Sequence, residues 1–254
     1  MPAPALSVYP VPGLPQIESG TDLAAIIVSA LRKTRLEVRD GDVLVIAQKI
    51  VSKAEGRIAD LSDVTPSPAA EALAKSADKD PRMVELILSE SREVVRHSPG
   101  VIIVEHRLGI VLANAGIDRS NVRGDENTVL LLPEDPDVSA SRLQQQLEAT
   151  LDARLGILIT DSVGRAWRLG TTGIAIGCAG LNALDDRRGQ KDMFGRVLQV
   201  AEVAIADCAA SAAGLVMGEG AEGIPVALVR GLRTRDSNQT AKSLLRPVDE
   251  DLFR

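Results

Sequence analysis

The spacing of apolar residues changes several times along the chain, and each change marks an element. Residues 5–17 are broken by Pro10, Pro12 and Pro15 and read as a short extended segment. Leu23, Ile26, Ile27, Ala30 and Leu31 then share one helical stripe, with Thr21 or Asp22 placed to cap it. Asp40-Gly41 turns the chain into Val43-Leu-Val-Ile-Ala47, a β-branched run that predicts a buried strand. Ser67 to Val95 carries a helical pattern with a break near Lys79-Asp80-Pro81, because proline disfavours helix at the preceding residue. Strand-like runs follow at Val101–Glu105, Leu108–Ala113 and Thr128–Leu132. A helix starting at Ser139 or Ser141 places Leu143, Leu147 and Leu151 on one face, and Leu155–Thr160 and Gly173–Cys178 predict two more strands. The Ala-rich stretch 196–217 predicts a long helix, and Pro225–Arg230 a last buried strand. Disorder is expected around Thr234–Asn238.

Helices and strands alternate too irregularly for a doubly wound sheet, so the pattern predicts an α+β fold. A chain of 254 residues is long enough for one large domain or two small lobes. Aromatic residues make up 2% of it, so the core must be aliphatic and stacking platforms for bases are scarce. The formal net charge of −6 argues in the same direction, against nucleic acid as a partner. Cys178 and Cys208 have no CxxC neighbours, which suggests neither zinc nor a disulfide, and both are expected to behave as small core residues. No apolar run reaches membrane-spanning length, and the N-terminus lacks signal-peptide character, so a cytoplasmic location is expected.

Gly218-Glu-Gly-Ala-Glu-Gly223 is a literal G-x-G-x-x-G, but the predicted helix precedes it and the strand follows. A dinucleotide fingerprint requires the opposite order. The run is therefore either a surface turn or a loop whose backbone reaches a nucleotide while Glu219 ligates a metal. No Walker G-x-x-x-x-G-K-[ST] exists in the chain. Asp118 and Asp161 each follow a strand-like run, a common place for functional groups and for plain turn residues. With Ser162 and Asn121 beside them they offer hard oxygen donors of the kind magnesium and manganese take in phosphate sites. Lys53, just past a predicted strand, is either a phosphate-facing cation or a solvated strand end. Arg165 and Arg168, close to the sole tryptophan, suit either an anionic substrate or a structural ion pair. His97 and His106 read as surface or strand-edge residues.

Several segments occur together in one order: Pro12-Gly-Leu-Pro-Gln-Ile17, Asp40-Gly-Asp-Val43, Ile50-Val-Ser-Lys-Ala-Glu-Gly56, Glu105-His-Arg-Leu-Gly109, Ala115-Gly-Ile-Asp-Arg-Ser-Asn-Val122, Ile159-Thr-Asp-Ser-Val-Gly-Arg-Ala-Trp-Arg168, and Met217-Gly-Glu-Gly220 before Ile224-Pro-Val226. Spanning residues 8–252, this set resembles the F420-0:γ-glutamyl ligase family. The resemblance implies a GTP-dependent amide ligase that adds L-glutamate to coenzyme F420-0 and extends the tail through γ-linkages. It implies nucleotide contacts from Leu14, Pro15, Gln16, Ile17, Gln48, Lys53 and Asn121, and from Met217, Gly218, Glu219, Gly220, Ala221, Glu222, Gly223 and Ile224. Asp118 and Asp161 would ligate one divalent ion, with Ser162 and Glu219 serving a second. Manganese or magnesium with potassium would support activity, and Lys53 and Arg165 would act on phosphate and substrate. The resemblance also implies the family's own α+β fold, with mixed and antiparallel sheets and flanking helices, in an intertwined homodimer, and a single ligase domain over 1–254 without a C-terminal reductase domain. Ser162 stands where threonine is usual and Gln48 where a small hydroxyl residue is usual. Two other readings remain open: a nucleotide- and metal-binding regulatory protein, and a related ligase for another acidic acceptor.

Overall fold

In the computed structural model, residues 5–122, 125–232 and 237–252 are described. The chain forms β1 (Ser7–Pro10), α1 (Leu23–Thr34), β2 (Val43–Ala47), α2 (Gln48–Ala54), β3 (Ile58–Asp60), α3 (Pro68–Ala77) and α4 (Pro81–Ser89). It continues through β4 (Ser91–Ser98), β5 (Val101–His106), β6 (Val111–Ala113), β7 (Thr128–Leu130), α5 (Pro136–Leu151), β8 (Gly156–Arg165) and β9 (Arg168–Ala179). The last elements are β10 (Leu184–Asp186), β11 (Glu202–Ala204), α6 (Ile205–Met217) and β12 (Val226–Arg230). The fold is α+β, with sheets of five, three, two and two strands.

The five-stranded sheet runs β1-β12-β2-β8-β9, and its one parallel pair is β2 with β8. The unbroken apolar run in β2 has a direct reason, since both faces of this sheet are covered. Leu44, Ile46, Ile157, Ile159, Val226 and Leu228 pack with α1 and α5 on one face. Val43, Val45, Leu158, Ala227 and Val229 pack with Ala206, Ala209, Ala213 and Met217 of α6 on the other. A separate cluster joins α3 and α4 to β5 through Ala70, Ala74, Val84, Ile87, Ile102 and Val104. No helix among the described residues is long and apolar enough to cross a membrane.

Several expectations need correction. The pattern over 67–95 is two helices, each begun by proline after a capping residue (Ser67 and Asp80), and then a strand. β4 is an edge strand with polar, mostly accessible residues, so its amphipathic spacing also suits a helix. α5 begins at Pro136, because the Asp135 carboxylate accepts from the N–H groups of Asp137 and Val138 and proline is well tolerated in the first turn. α6 begins only at Ile205; the chain just before it pairs as β11 with β10. His106 is wholly buried and Cys208 is exposed, the reverse of their sequence reading. Cys178 is buried, and that burial pushes its thiol up to about 12. Most of the stretch expected to be disordered, Thr234–Asn238, lies outside the described residues.

Candidate active site

Parallel pairing of β2 with β8 ends where Ala47 lies opposite Thr160, at the end of β2. The chain leaves them as Gln48, which opens α2, and as Asp161 and Ser162, which continue along β8. Ligands in sheets with parallel strands characteristically sit beyond such carboxyl ends. A cleft of about 650 Å³ opens there. Its walls include Leu14, Pro15, Gln16 and Ile17, then Gln48, Lys49, Lys53, Asn121, Asp161 and Ser162, and finally the whole run from Met217 to Ile224. The fold thus gathers every residue for which the resemblance implies a nucleotide contact.

The loop after α6 has its own internal logic. Gly218 adopts φ +75°, and a Cβ there would lie 2.3 Å from Cδ of Glu222. Only glycine leaves room for the Glu222 carboxylate to fold back and accept from the Gly220 N–H at 2.8 Å. Glu222 therefore shapes the loop, whereas Glu219 reaches across to β8, where its Oε1 accepts from the Ser162 hydroxyl at 2.6 Å. Asn121 ties the opposite rim to this loop by donating Nδ2–H to the Gly220 carbonyl at 3.3 Å.

Asp118 is fixed by its backbone, whose N–H and C=O both pair with Leu130 at 2.9 Å. Its Oδ1 accepts from the Ser120 N–H and hydroxyl, and its Oδ2 meets Lys49 Nζ at 2.6 Å. Lys53 Nζ donates to the Asn121 carbonyl at 2.6 Å. Burial lowers the pKa of Lys53, the Lys49 charge lowers it further, and Asp118 works against both. Burial pushes Asp161 up to about 6; the charges of Asp118 and Glu219 add to this, while the Ser162 N–H and Lys49 oppose it. A carboxyl held among other carboxylates in a cleft is a recurrent mark of a functional site.

These donors are carboxylate and hydroxyl oxygens, the hard ligands that magnesium and manganese prefer. Among the described residues no group of three or more His, Cys, Asp or Glu side chains is gathered to hold an ion alone. The set suits an ion that brings phosphate oxygens and water as further ligands. Arg165 lies elsewhere, exposed near the turn of the β8–β9 hairpin with Nη2 donating to the Leu169 carbonyl at 3.0 Å. Lys49 was not singled out from sequence. The run Gln48–Lys53 passes for a strand end, and only a helix puts Lys49 and Lys53, four residues apart, on one face.

The model of the F420-0:Gamma-glutamyl ligase family matches residues 13–231. The coenzyme F420:L-glutamate ligase of Methanothermobacter thermautotrophicus is 44% identical over 254 residues, covering 98% of this chain and 99% of its own. The enzyme of the same name from Methanocaldococcus jannaschii is 46% identical over 217 residues, 85% of this chain and 86% of its own. That from Archaeoglobus fulgidus is 42% identical, covering 98% and 96%. On these matches the chain belongs to the F420-0:γ-glutamyl ligase family.

Proposed function

We propose that the protein is a GTP-dependent ligase that joins the carboxylate of coenzyme F420-0 to the amine of L-glutamate and then extends the tail through γ-linkages. The observation that carries this reading is the convergence of Lys49, Lys53, Asp161, Ser162 and Glu219 on one cleft large enough for a nucleotide. A carboxylate and an amine do not condense in water unaided, so the acid must first be activated. In the proposed route a carboxylate oxygen of F420-0 attacks the γ-phosphorus of GTP, and the bond from that phosphorus to the β–γ bridging oxygen breaks to release GDP. The glutamate amine then adds to the acyl-phosphate carbonyl and loses a proton, and phosphate leaves.

Lys53 supplies positive charge toward the phosphates from the cleft wall, and the Met217–Ile224 loop positions the nucleotide through its backbone. Asp118 and Asp161 would hold one divalent cation, with Ser162 and Glu219 serving a second. Manganese or magnesium, when bound, would supply positive charge to offset the negative charge developing on the phosphates during transfer. Potassium completes the expected ionic requirement. Arg165 does not line this cleft, so any contact it makes with the substrate would fall outside it. A homodimer and a cytoplasmic location belong to the same reading.

The test combines GTP, Mn²⁺, F420-0 and L-glutamate and follows GDP release together with glutamylated products by mass spectrometry. Asp161→Ala should reduce both by at least ~100-fold, on the scale of losing one main electrostatic group in an active site. Near wild-type GDP release coupled to glutamylation in that variant would remove Asp161 from the reaction. Products with other acidic acceptors, and none with F420-0, would redirect the substrate assignment.

A further inference from the structure

We infer that Lys49 is a built-in counter-ion that occupies the cation position on Asp118 and must leave it before a divalent ion can bind there. The inference rests on the metal roles proposed above. The three donors of the Lys49 ammonium all face the 118–120 segment: Asp118 Oδ2 at 2.6 Å, the Ser120 hydroxyl at 2.7 Å and the Ser120 carbonyl at 3.5 Å. Asp118 has no second oxygen to spare, because Oδ1 already accepts two hydrogen bonds from Ser120. The Ser120 contacts are local to the turn, and the Asp118 backbone is held on both sides by Leu130, so the carboxylate stays where it is. Lys49 is the member able to move. It reaches the site from α2 on a flexible four-carbon stem, and it also lines the nucleotide-sized cleft.

An ammonium 2.6 Å from Asp118 Oδ2 would repel a divalent ion brought to the same oxygen, so Lys49 and the ion compete for it. The ammonium also lowers the negative potential at Asp161. Both effects weaken divalent-ion binding in the absence of nucleotide. A phosphate group entering the cleft gives the released ammonium a new partner, so nucleotide and metal favour each other's binding. Lys49 acts by competing with the ion for Asp118, and it need not take part in bond making.

The experiment is Mn²⁺ titration of the nucleotide-free full chain, followed by the electron paramagnetic resonance of free Mn²⁺. Lys49→Met keeps most of the stem and removes the charge. It should bind Mn²⁺ ~5–10-fold more tightly than the wild type, the scale of losing one partly buried competing ion pair. Lys49→Arg, which keeps the charge, should not gain affinity. Unchanged or weaker Mn²⁺ binding by a folded Lys49→Met overturns the inference while leaving the metal reading intact. If Asp118→Asn does not weaken Mn²⁺ binding in the Lys49→Met background, or if neither protein binds Mn²⁺ with or without GTP, both fall together.

Discussion

At the residue scale the most consequential group outside the cleft is Glu90. Its carboxylate receives both oxygens' worth of contact from Arg57 Nη2 at 2.8 Å, a further bond from Arg107 Nε at 3.0 Å, and the edge of buried His106 at 3.4 Å. Arg57 also donates to the Leu132 carbonyl and Arg107 to that of Glu134, so this one carboxylate ties the end of α4 to the approach to α5. Burial alone would raise its pKa, but contacts with His106, Arg57 and Arg107 outweigh burial and bring it down to about 2. A carboxyl depressed in the folded state stabilises the fold above its unfolded value near 4.5, and that contribution fades as pH falls toward 2. Glu90→Gln leaves two guanidinium groups without their anion, which should cost about 3 kcal/mol or more at pH 7. Urea denaturation of both proteins should show this gap narrowing between pH 4.5 and pH 2. A gap that does not change with pH would mean that Glu90 acts through packing and not through its charge.

At the element scale, α5 and α6 come unusually close to the backbone of β9, and glycines make this possible. A Cβ at Gly177 would lie 2.3 Å from the Pro136 carbonyl oxygen, and one at Gly173 would lie 2.7 Å from that of Ala210. Gly177→Ala should therefore destabilise the protein by ~1–3 kcal/mol, since the obstacle is backbone and cannot rotate away. Gly164→Ala meets nothing within 4 Å and should fall within ~0.5 kcal/mol of the parent in the same thermal and urea unfolding assays. Such contacts explain what the chain discloses by itself and what it conceals. α1 was legible because its apolar stripe fits the helical period, and β2 and β12 because each is a short apolar run rich in β-branched residues and entered through a Gly or Pro. β4 and the run before α6 were not, because Arg92, Val94 and Val95, or Val197, Leu198, Val200 and Ala201, fit a strand or a helix equally and the choice is made by pairing partners. The glycines and acids of Gly218–Gly223 left a surface turn and a nucleotide-reaching loop both open, and only the fold puts the run on the cleft wall. The Lys49 contact with Ser120 joins residues 71 apart, and nothing local to either residue signals it.

For the whole molecule, the outstanding feature is where its few aromatic residues go. The chain has one Trp, one Tyr and two Phe, yet Trp167 and Phe194 both stand exposed on hairpins. Apolar neighbours accompany them: Leu169 is 97% exposed near the β8–β9 turn and Met193 95% exposed on the β10–β11 hairpin, with Val200 nearby in sequence also open to solvent. Two such apolar projections are costly on a monomer in water, and a second copy of the chain is the expected cover in the proposed homodimer. A stable dimer of this kind buries on the order of 1,600 Å² or more in total, and large apolar residues supply most of its binding energy. Leu169→Glu with Phe194→Glu introduces two charges where burial is expected without touching any residue that lines the cleft. Sedimentation velocity should give a dimer for the parent and predominantly monomer for the double variant, while far-ultraviolet circular dichroism stays the same. A parent chain that sediments as a monomer at tens of micromolar would refute the dimer and leave the exposed hairpins available to another surface. A double variant that remains fully dimeric would move the interface away from these two hairpins.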